Sequence, residues 1–111
     1  MDIEITGKHV EVTEPMEARI RQRIEKLPKW SGIVQYLTIT LRRDSGNLIA
    51  EIIAKCPRAD FVVEATSHDL YQSIDEAFTK LEHRLARYHD KLVGERPREA
   101  QRASETERAP E

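Results

Sequence analysis

Apolar residues recur along two stretches of the chain at the three- and four-residue spacing of an α-helix. In the longer stretch, His68 to Lys91, the apolar face comprises Leu70, Ile74, Phe78, Leu81, Leu85, Tyr88 and Leu92. The shorter stretch begins at a candidate N-cap, Thr13, and ends before Pro28, which cannot continue a helix. Its apolar face comprises Met16, Ile20, Ile24 and Leu27. The spacing therefore predicts two amphipathic helices.

Four other stretches alternate apolar and polar residues and are typical of half-buried β-strands. They are Asp2–Thr6, Ile33–Arg42, Leu48–Cys56 and Phe61–Thr66. A loop over Gly7–Thr13 follows the first strand, and the turns Asp44–Asn47 and Pro57–Asp60 connect the other three. Short turns favour an antiparallel meander of these three strands. The connection through the first helix should instead be a right-handed crossover between parallel strands.

The element order βαβββα predicts an α+β fold in which a four-stranded mixed sheet carries both helices on one face. At 111 residues the chain has room for one modest core, which we place within residues 1–93. Segment 94–111 consists mainly of Glu, Arg, Ala and Pro and has no apolar period. We therefore predict one domain followed by a disordered C-terminal tail.

The amino-acid composition and net charge limit the kinds of protein that this chain can be. The single cysteine excludes an internal disulfide, and the sequence shows neither a long apolar run nor an N-terminal signal core. A cytoplasmic protein without a membrane partner is therefore expected. The formal net charge of −2 does not indicate a nucleic-acid-binding protein, so the distribution of charge matters more than its sum.

Positive charge is concentrated in one row along each predicted helix. The second helix carries Lys80, Arg84, Arg87 and Lys91, which we name the second cationic stripe. The first helix carries Arg19, Arg23 and Lys26, which we name the first cationic stripe. Each row lies roughly 90–100° around its helix from the apolar face, so a docked helix would hold the row beside the core. If the helices run parallel, one stripe should face the groove between them and the other the outer flank.

These rows suit the phosphate backbone of a nucleic acid better than a small-molecule substrate. One alternative is a solvated surface held by ion pairs between residues four apart. Another is a protein partner or a second copy of the chain at the outer face of the sheet. That face carries Tyr36, Ile49, Ile53 and Val62, which make it rather apolar for a solvated surface.

The sequence offers little catalytic or metal-binding chemistry. His83 and His89 are six residues apart and point about 120° away from each other on a helix. His9 and His68 have no pair of cysteines or correctly spaced histidine beside them to complete a metal site. The glycines are isolated, so a phosphate-binding loop is not indicated. We therefore expect neither an enzyme nor a protein with a metal or cofactor.

Several short motifs, taken in order, resemble the bacterial ribosome hibernation factor family. Ile5–Thr13 precedes Pro15, and Lys26-Leu27-Pro28-Lys29-Trp30 follows the first helix. His68-Asp69-Leu70-Tyr71 with Ser73-Ile74-Asp75 opens the second helix, and Lys80-Leu81-Glu82 with Leu85 continues it. The similarity covers residues 1 to about 93 and is greatest to the short, tailed members of the family.

The resemblance implies a fold similar to a double-stranded-RNA-binding domain. It also implies a protein that binds the small ribosomal subunit between head and body, against ribosomal RNA. Such a protein occupies the space of mRNA and of A- and P-site tRNA and halts translation without catalysis, as in stationary phase or stress. The RNA-binding residues expected from the resemblance and the charge spacing together are Lys8, His9, Arg19, Arg23, Lys26, Lys80, Arg84, Arg87 and Lys91.

Overall fold

The computed structural model describes residues 1–27 and 34–94, which form four strands and two helices. In chain order these are β1 (Asp2–Lys8), α1 (Glu14–Glu25), β2 (Tyr36–Asp44), β3 (Asn47–Lys55), β4 (Asp60–Ser67) and α2 (Leu70–Gly94). The sheet order is β1-β2-β3-β4, with β1 parallel to β2 and the other neighbours antiparallel. This confirms the predicted α+β fold, including the parallel first crossover and the meander.

Alternation along the strands sends one set of side chains into a core beneath the helices. Its fully buried members include Ile20 of α1, Leu37, Ile39 and Leu41 of β2, Ile52 of β3, and Ile74, Phe78, Leu81 and Leu85 of α2. The predicted apolar face of α2 is therefore buried as far as Leu85, and Tyr88 packs against the same core. Burial of this face fixes the rotation of α2 about its axis, which in turn fixes the direction of the second cationic stripe.

Local sequence chemistry sets the ends of the helices. The Thr13 hydroxyl accepts a hydrogen bond from the Met16 backbone N–H at 3.3 Å, which confirms the predicted N-cap of α1. The Asp69 carboxylate accepts from the Tyr71 N–H at 3.0 Å at the start of α2. α1 ends at Glu25, before the proline at position 28, as expected because the residue before a proline disfavours helical geometry.

Strand pairing moves two of the predicted boundaries. β1 runs through Lys8, predicted to lie in a loop, because its last residues continue the parallel ladder with β2. The turn between β2 and β3 shortens to Ser45 and Gly46, whose φ angles are 53° and 85°. A two-residue turn with both φ angles positive matches the twist of a hairpin, so it replaces the predicted four-residue turn.

Two sequence predictions fall on the ends of the described ranges. The predicted start of the second strand at Ile33 lies outside the described residues. Gly94, predicted as the first residue of the tail, is instead the last residue of α2, a helix end where glycine is common. The rest of the predicted tail also lies outside the described residues.

Candidate nucleic-acid interface

Side-chain contacts show which way each cationic stripe points. Arg19 of α1 contacts Asp75 of α2, and Arg23, one turn later, reaches Glu82 further along α2. The two helices therefore run in the same direction, with the first cationic stripe facing the groove between them. Lys80 contacts β4, so the second cationic stripe lies on the opposite flank of α2. This confirms the arrangement predicted for parallel helices.

The four residues of the second cationic stripe are all exposed. The Lys80 ammonium donates to the backbone carbonyl of Glu64 at 2.7 Å. The guanidinium carbon of Arg84 lies 5.2 Å from the centre of the Phe61 ring, a cation–π contact. These contacts hold both side chains against β4, while an ammonium with three N–H donors and a guanidinium with five keep donors for a ligand. At 1.5 Å per residue, the stripe extends roughly 16 Å along α2.

Arg23 of the first cationic stripe is largely covered, with 16% of its side chain exposed. One terminal nitrogen donates to both the carboxylate and the backbone carbonyl of Asp75, each at 3.1 Å. The other donates to Glu82 at 3.1 Å and to the Thr79 hydroxyl at 3.3 Å. The guanidinium carbon also lies 5.7 Å from the centre of the Phe78 ring. Arg23 therefore joins the two helices.

The rest of the first cationic stripe is more accessible. Arg19 donates to the Asp75 carboxylate at 2.7 Å, and its guanidinium carbon lies 5.5 Å from the centre of the Tyr71 ring. Its side chain is nevertheless 38% exposed. Lys26, the C-cap of α1, is exposed and lines the same groove. This stripe therefore meets solvent mainly through Lys26 and part of Arg19.

Lys8 and His9 are exposed at the end of β1, the sheet edge opposite β4. Alternation along β1 places Lys8 on the face away from the helices, in register with Arg42. His9 has a φ of 60°, which is uncommon for a residue with a side chain. The bend is tight, since a Cβ at Gly7 would lie 2.4 Å from the Val10 carbonyl oxygen. Because Lys8 faces away from the helices, the structure does not bring it together with either cationic stripe.

Sequence reasoning named the cations but missed the groups that hold them. Asp75 and Glu82 are seven residues apart and share one face of α2, a spacing that could have identified them as partners of a neighbouring cationic helix. Phe61 gave no such signal, because it contacts Arg84 across two elements that are distant in sequence.

The outer face of the sheet is more polar than its predicted apolar residues suggested. Arg42 forms ion pairs with Glu51 on β3 and Glu64 on β4, which ties three strands together. Ile49, predicted to be exposed there, is only 7% exposed, and Arg42 lies directly across the strand pair from it. Val62 is 52% exposed. This face therefore presents an ion-pair network with scattered apolar side chains.

The pKa values of two side chains are raised, those of Tyr36 on β2 and of Cys56 directly after β3. The Tyr36 hydroxyl donates to the Glu4 carboxylate at 2.8 Å. This hydrogen bond, aided by the charge of Glu4, raises the pKa of the Tyr36 phenol. Burial, aided by the negative charge of Asp60, raises the pKa of the Cys56 thiol. Neither group is a member of a cationic stripe, so neither is part of the candidate interface.

Residues 1–27 and 34–94 contain neither a candidate metal site nor a candidate membrane-spanning helix. No group of three or more His, Cys, Asp or Glu residues in these ranges is placed to hold a metal ion. No helix in the same ranges is long and apolar enough to cross a membrane. The cationic stripes therefore form the candidate functional site of the described residues.

Comparison with known proteins assigns the class. The family model described as Sigma 54 modulation protein / S30EA ribosomal protein matches residues 3–93, and the chain belongs to this family. A ribosome hibernation promoting factor from Acinetobacter guillouiae is 28% identical over 109 residues, 89% of this chain and 96% of the relative. A ribosome-associated factor Y from Haemophilus influenzae is 27% identical over 96 residues, 86% of this chain and 90% of the relative.

Solved structures agree on the fold. A ribosomal subunit interface protein from Coxiella burnetii superposes with a TM-score of 0.78 at 22% identity, over 82% of this chain and 100% of that chain. The N-terminal domain of Thermus thermophilus Protein Y superposes with a TM-score of 0.68 at 24% identity, over 79% of this chain and 99% of that chain. At these identities the likeness shows the βαβββα architecture alone.

Proposed function

We propose that this chain is a ribosome-associated hibernation factor that binds the small ribosomal subunit through ribosomal RNA. Membership of the S30EA family, together with relatives named as hibernation factors, supports the ribosome as the partner. The second cationic stripe supports RNA as the ligand, because it is an exposed row of cations on a helix whose other face is buried.

Binding through this stripe would be driven by charge and shape. Each cation that meets a phosphate releases a condensed counterion, so affinity should fall steeply as salt rises. The stripe carries lysine and arginine on a straight helix, which suits phosphate and 2′-hydroxyl groups of folded RNA better than base edges. Recognition would therefore depend on a preformed cleft in the RNA, with Lys26, Arg19, Lys8 and His9 as further contacts.

Inhibition would then be steric. A domain seated between the head and body of the small subunit would fill the space of mRNA and of A- and P-site tRNA. No bond needs to form or break in this mechanism, which fits an interface built from cationic side chains. The inhibition should therefore be reversible and should follow occupancy of the subunit.

Co-sedimentation with separated ribosomal subunits over a series of salt concentrations tests the proposal. The protein should pellet with the small subunit at low salt and be released steeply as salt rises. The large subunit is the control for general attraction to ribosomal RNA. Equal pelleting with both subunits would indicate a binder of structured RNA in general. Absence of pelleting by folded protein at low salt would contradict the proposal.

Cell-free translation supplies the functional readout. Added protein should reduce translation in proportion to the fraction of small subunits that it occupies. Preincubation with excess tRNA and mRNA should relieve the inhibition, because the proposed sites overlap. Full occupancy without loss of translation would contradict the steric mechanism while leaving ribosome binding intact.

A further inference from the structure

Two carboxylates of α2 occupy donors of the first cationic stripe that an incoming phosphate would need. Asp75 accepts from Arg19 at 2.7 Å and from Arg23 at 3.1 Å. Glu82 accepts from the second terminal nitrogen of Arg23 at 3.1 Å. The Asp75 side chain is 40% exposed, so solvent and other anions can reach this site. Two positive charges therefore meet two negative charges in the groove and largely cancel there.

The second cationic stripe has partners of a different kind. Lys80 donates to a backbone carbonyl, and Arg84 lies over an aromatic ring. Both partners are neutral and leave the full positive charge of these side chains in place. Lys80 and Arg84 therefore keep their charge on one flank of α2, whereas Arg19 and Arg23 are paired with carboxylates on the other.

We infer that Asp75 is an affinity-limiting residue of the RNA-binding surface, because its carboxylate competes with RNA phosphate for Arg19 and Arg23. The inference rests on the proposed function, since ribosomal RNA supplies the competing anion. A phosphate that enters the groove must displace the carboxylate before it gains an arginine. Contacts through α1 are therefore weaker than the number of arginines implies.

The geometry favours competition over positioning. A positioning carboxylate would hold an arginine by one side and leave its outer donors directed at the ligand. Both terminal nitrogens of Arg23 instead donate to α2, twice each, and the side chain is 16% exposed. Arg23 can thus reach a phosphate only by exchanging existing partners for new ones.

Matched amide variants separate this local effect from a change in overall charge. Asp75→Asn and Glu76→Gln each remove one negative charge from α2 and nearly preserve side-chain shape. The Glu76 carboxylate is exposed, accepts from Gln72 on the same helix and is not among the partners of Arg19 and Arg23. It lies one turn before Lys80, so its removal is a stringent control for added positive charge on α2. Affinity for purified small subunits is measured at several salt concentrations, and far-UV circular dichroism checks the fold of each variant.

Asp75→Asn should bind small subunits roughly two- to fivefold more tightly than Glu76→Gln, the range that corresponds to an exposed ion pair. The salt dependence of Asp75→Asn should also steepen by about 0.7–0.9 in log–log slope for each phosphate gained. Equal or weaker binding by folded Asp75→Asn would overturn the inference and make Asp75 a support for α1.

Glu82→Gln is the second variant, because it frees one nitrogen of Arg23 and leaves the Arg19–Asp75 pair in place. If Asp75→Asn fails to fold, tighter binding by Glu82→Gln supports the inference and unchanged binding overturns it. Failure of the wild-type protein to bind small subunits at low salt would overturn the proposed function as well. Binding by the wild-type protein therefore distinguishes a failure of the inference about Asp75 from a failure of the proposed function.

Discussion

The two cationic stripes differ in what lies opposite them. The first faces α2, where Asp75 and Glu82 meet its arginines with negative charge. The second faces β4, where a carbonyl and an aromatic ring meet Lys80 and Arg84 without compensating charge. Helical spacing decides where a charge lies on its own helix, but the neighbouring element decides whether that charge is available to a ligand.

Because of this difference, Arg23 and Arg84 should affect different properties, the stability of the fold and the binding of a ligand. Arg23 bonds to three residues of α2 and so contributes to the docking of α1. Arg84 is exposed and contributes little to the fold, which leaves it suited to a ligand. Substitution of Arg23 should therefore act mainly on folding, and substitutions in the second stripe mainly on RNA binding.

The largest effect should come from the core that supports both stripes. Leu81 is fully buried on α2, so Leu81→Ala should lower the free energy of unfolding by about 2–5 kcal/mol. Urea denaturation followed by circular dichroism measures the loss. The exposed His83→Ala on the same helix is the control and should change stability by less than about 0.5 kcal/mol. Equal stability of the two variants would mean that the α2 core face is misassigned.

A smaller change in the free energy of unfolding should distinguish the two stripes. Arg23→Gln should lower the free energy of unfolding by about 1–2 kcal/mol, because it leaves Glu82 without its partner and weakens the hold on Asp75. Arg84→Gln, the matched change on the second stripe, should cost less than about 1 kcal/mol, the scale of an exposed cation–π contact. Thermal or urea unfolding of the two variants side by side measures the contrast. The reverse order would contradict the division between folding and binding.

The smallest expected effect is that of salt concentration on the loss of stability caused by Arg23→Gln. Arg23 is largely covered, so salt screens its ion pairs less than it screens exposed charges. Raising the salt concentration from about 0.05 to 0.5 M should therefore change the loss of stability caused by Arg23→Gln by less than about 0.5 kcal/mol. Binding of small subunits by the wild-type protein should fall by orders of magnitude over the same range. Unfolding curves at the two salt concentrations provide the check. Equal salt sensitivity of both properties would remove the distinction.

Periodicity was sufficient to predict the fold. Leu70, Ile74 and Phe78 are buried as their spacing indicates, and the alternation of Leu37, Ile39 and Leu41 identifies the inner face of β2. The strand ends were less predictable, because the last residues of β1 are ordered by pairing with β2 rather than by their own sequence. Pairing partners that are distant in the chain leave no local signal.

The candidate site was predictable only in part. The cations and their rows follow from sequence, and so does the separation of the two rows once the helices are known to run parallel. The shared face of Asp75 and Glu82 on α2 marks them as candidate partners of a cation, but their pairing with Arg23 also depends on how α1 lies against α2, which the spacing within one helix does not determine. The same limit applies to the burial of Ile49, which lies opposite Arg42 of the adjacent strand.

Charge reversal on the second cationic stripe tests the central claim most directly. Arg84→Glu with Arg87→Glu should weaken binding to purified small subunits roughly a hundredfold, about 3 kcal/mol, since two charge-assisted phosphate contacts are lost. Arg43→Glu with Arg58→Glu reverses the same number of exposed charges outside both stripes and should retain most of the affinity. Near wild-type binding by the folded Arg84→Glu, Arg87→Glu protein would contradict the assignment of RNA binding to this flank of α2.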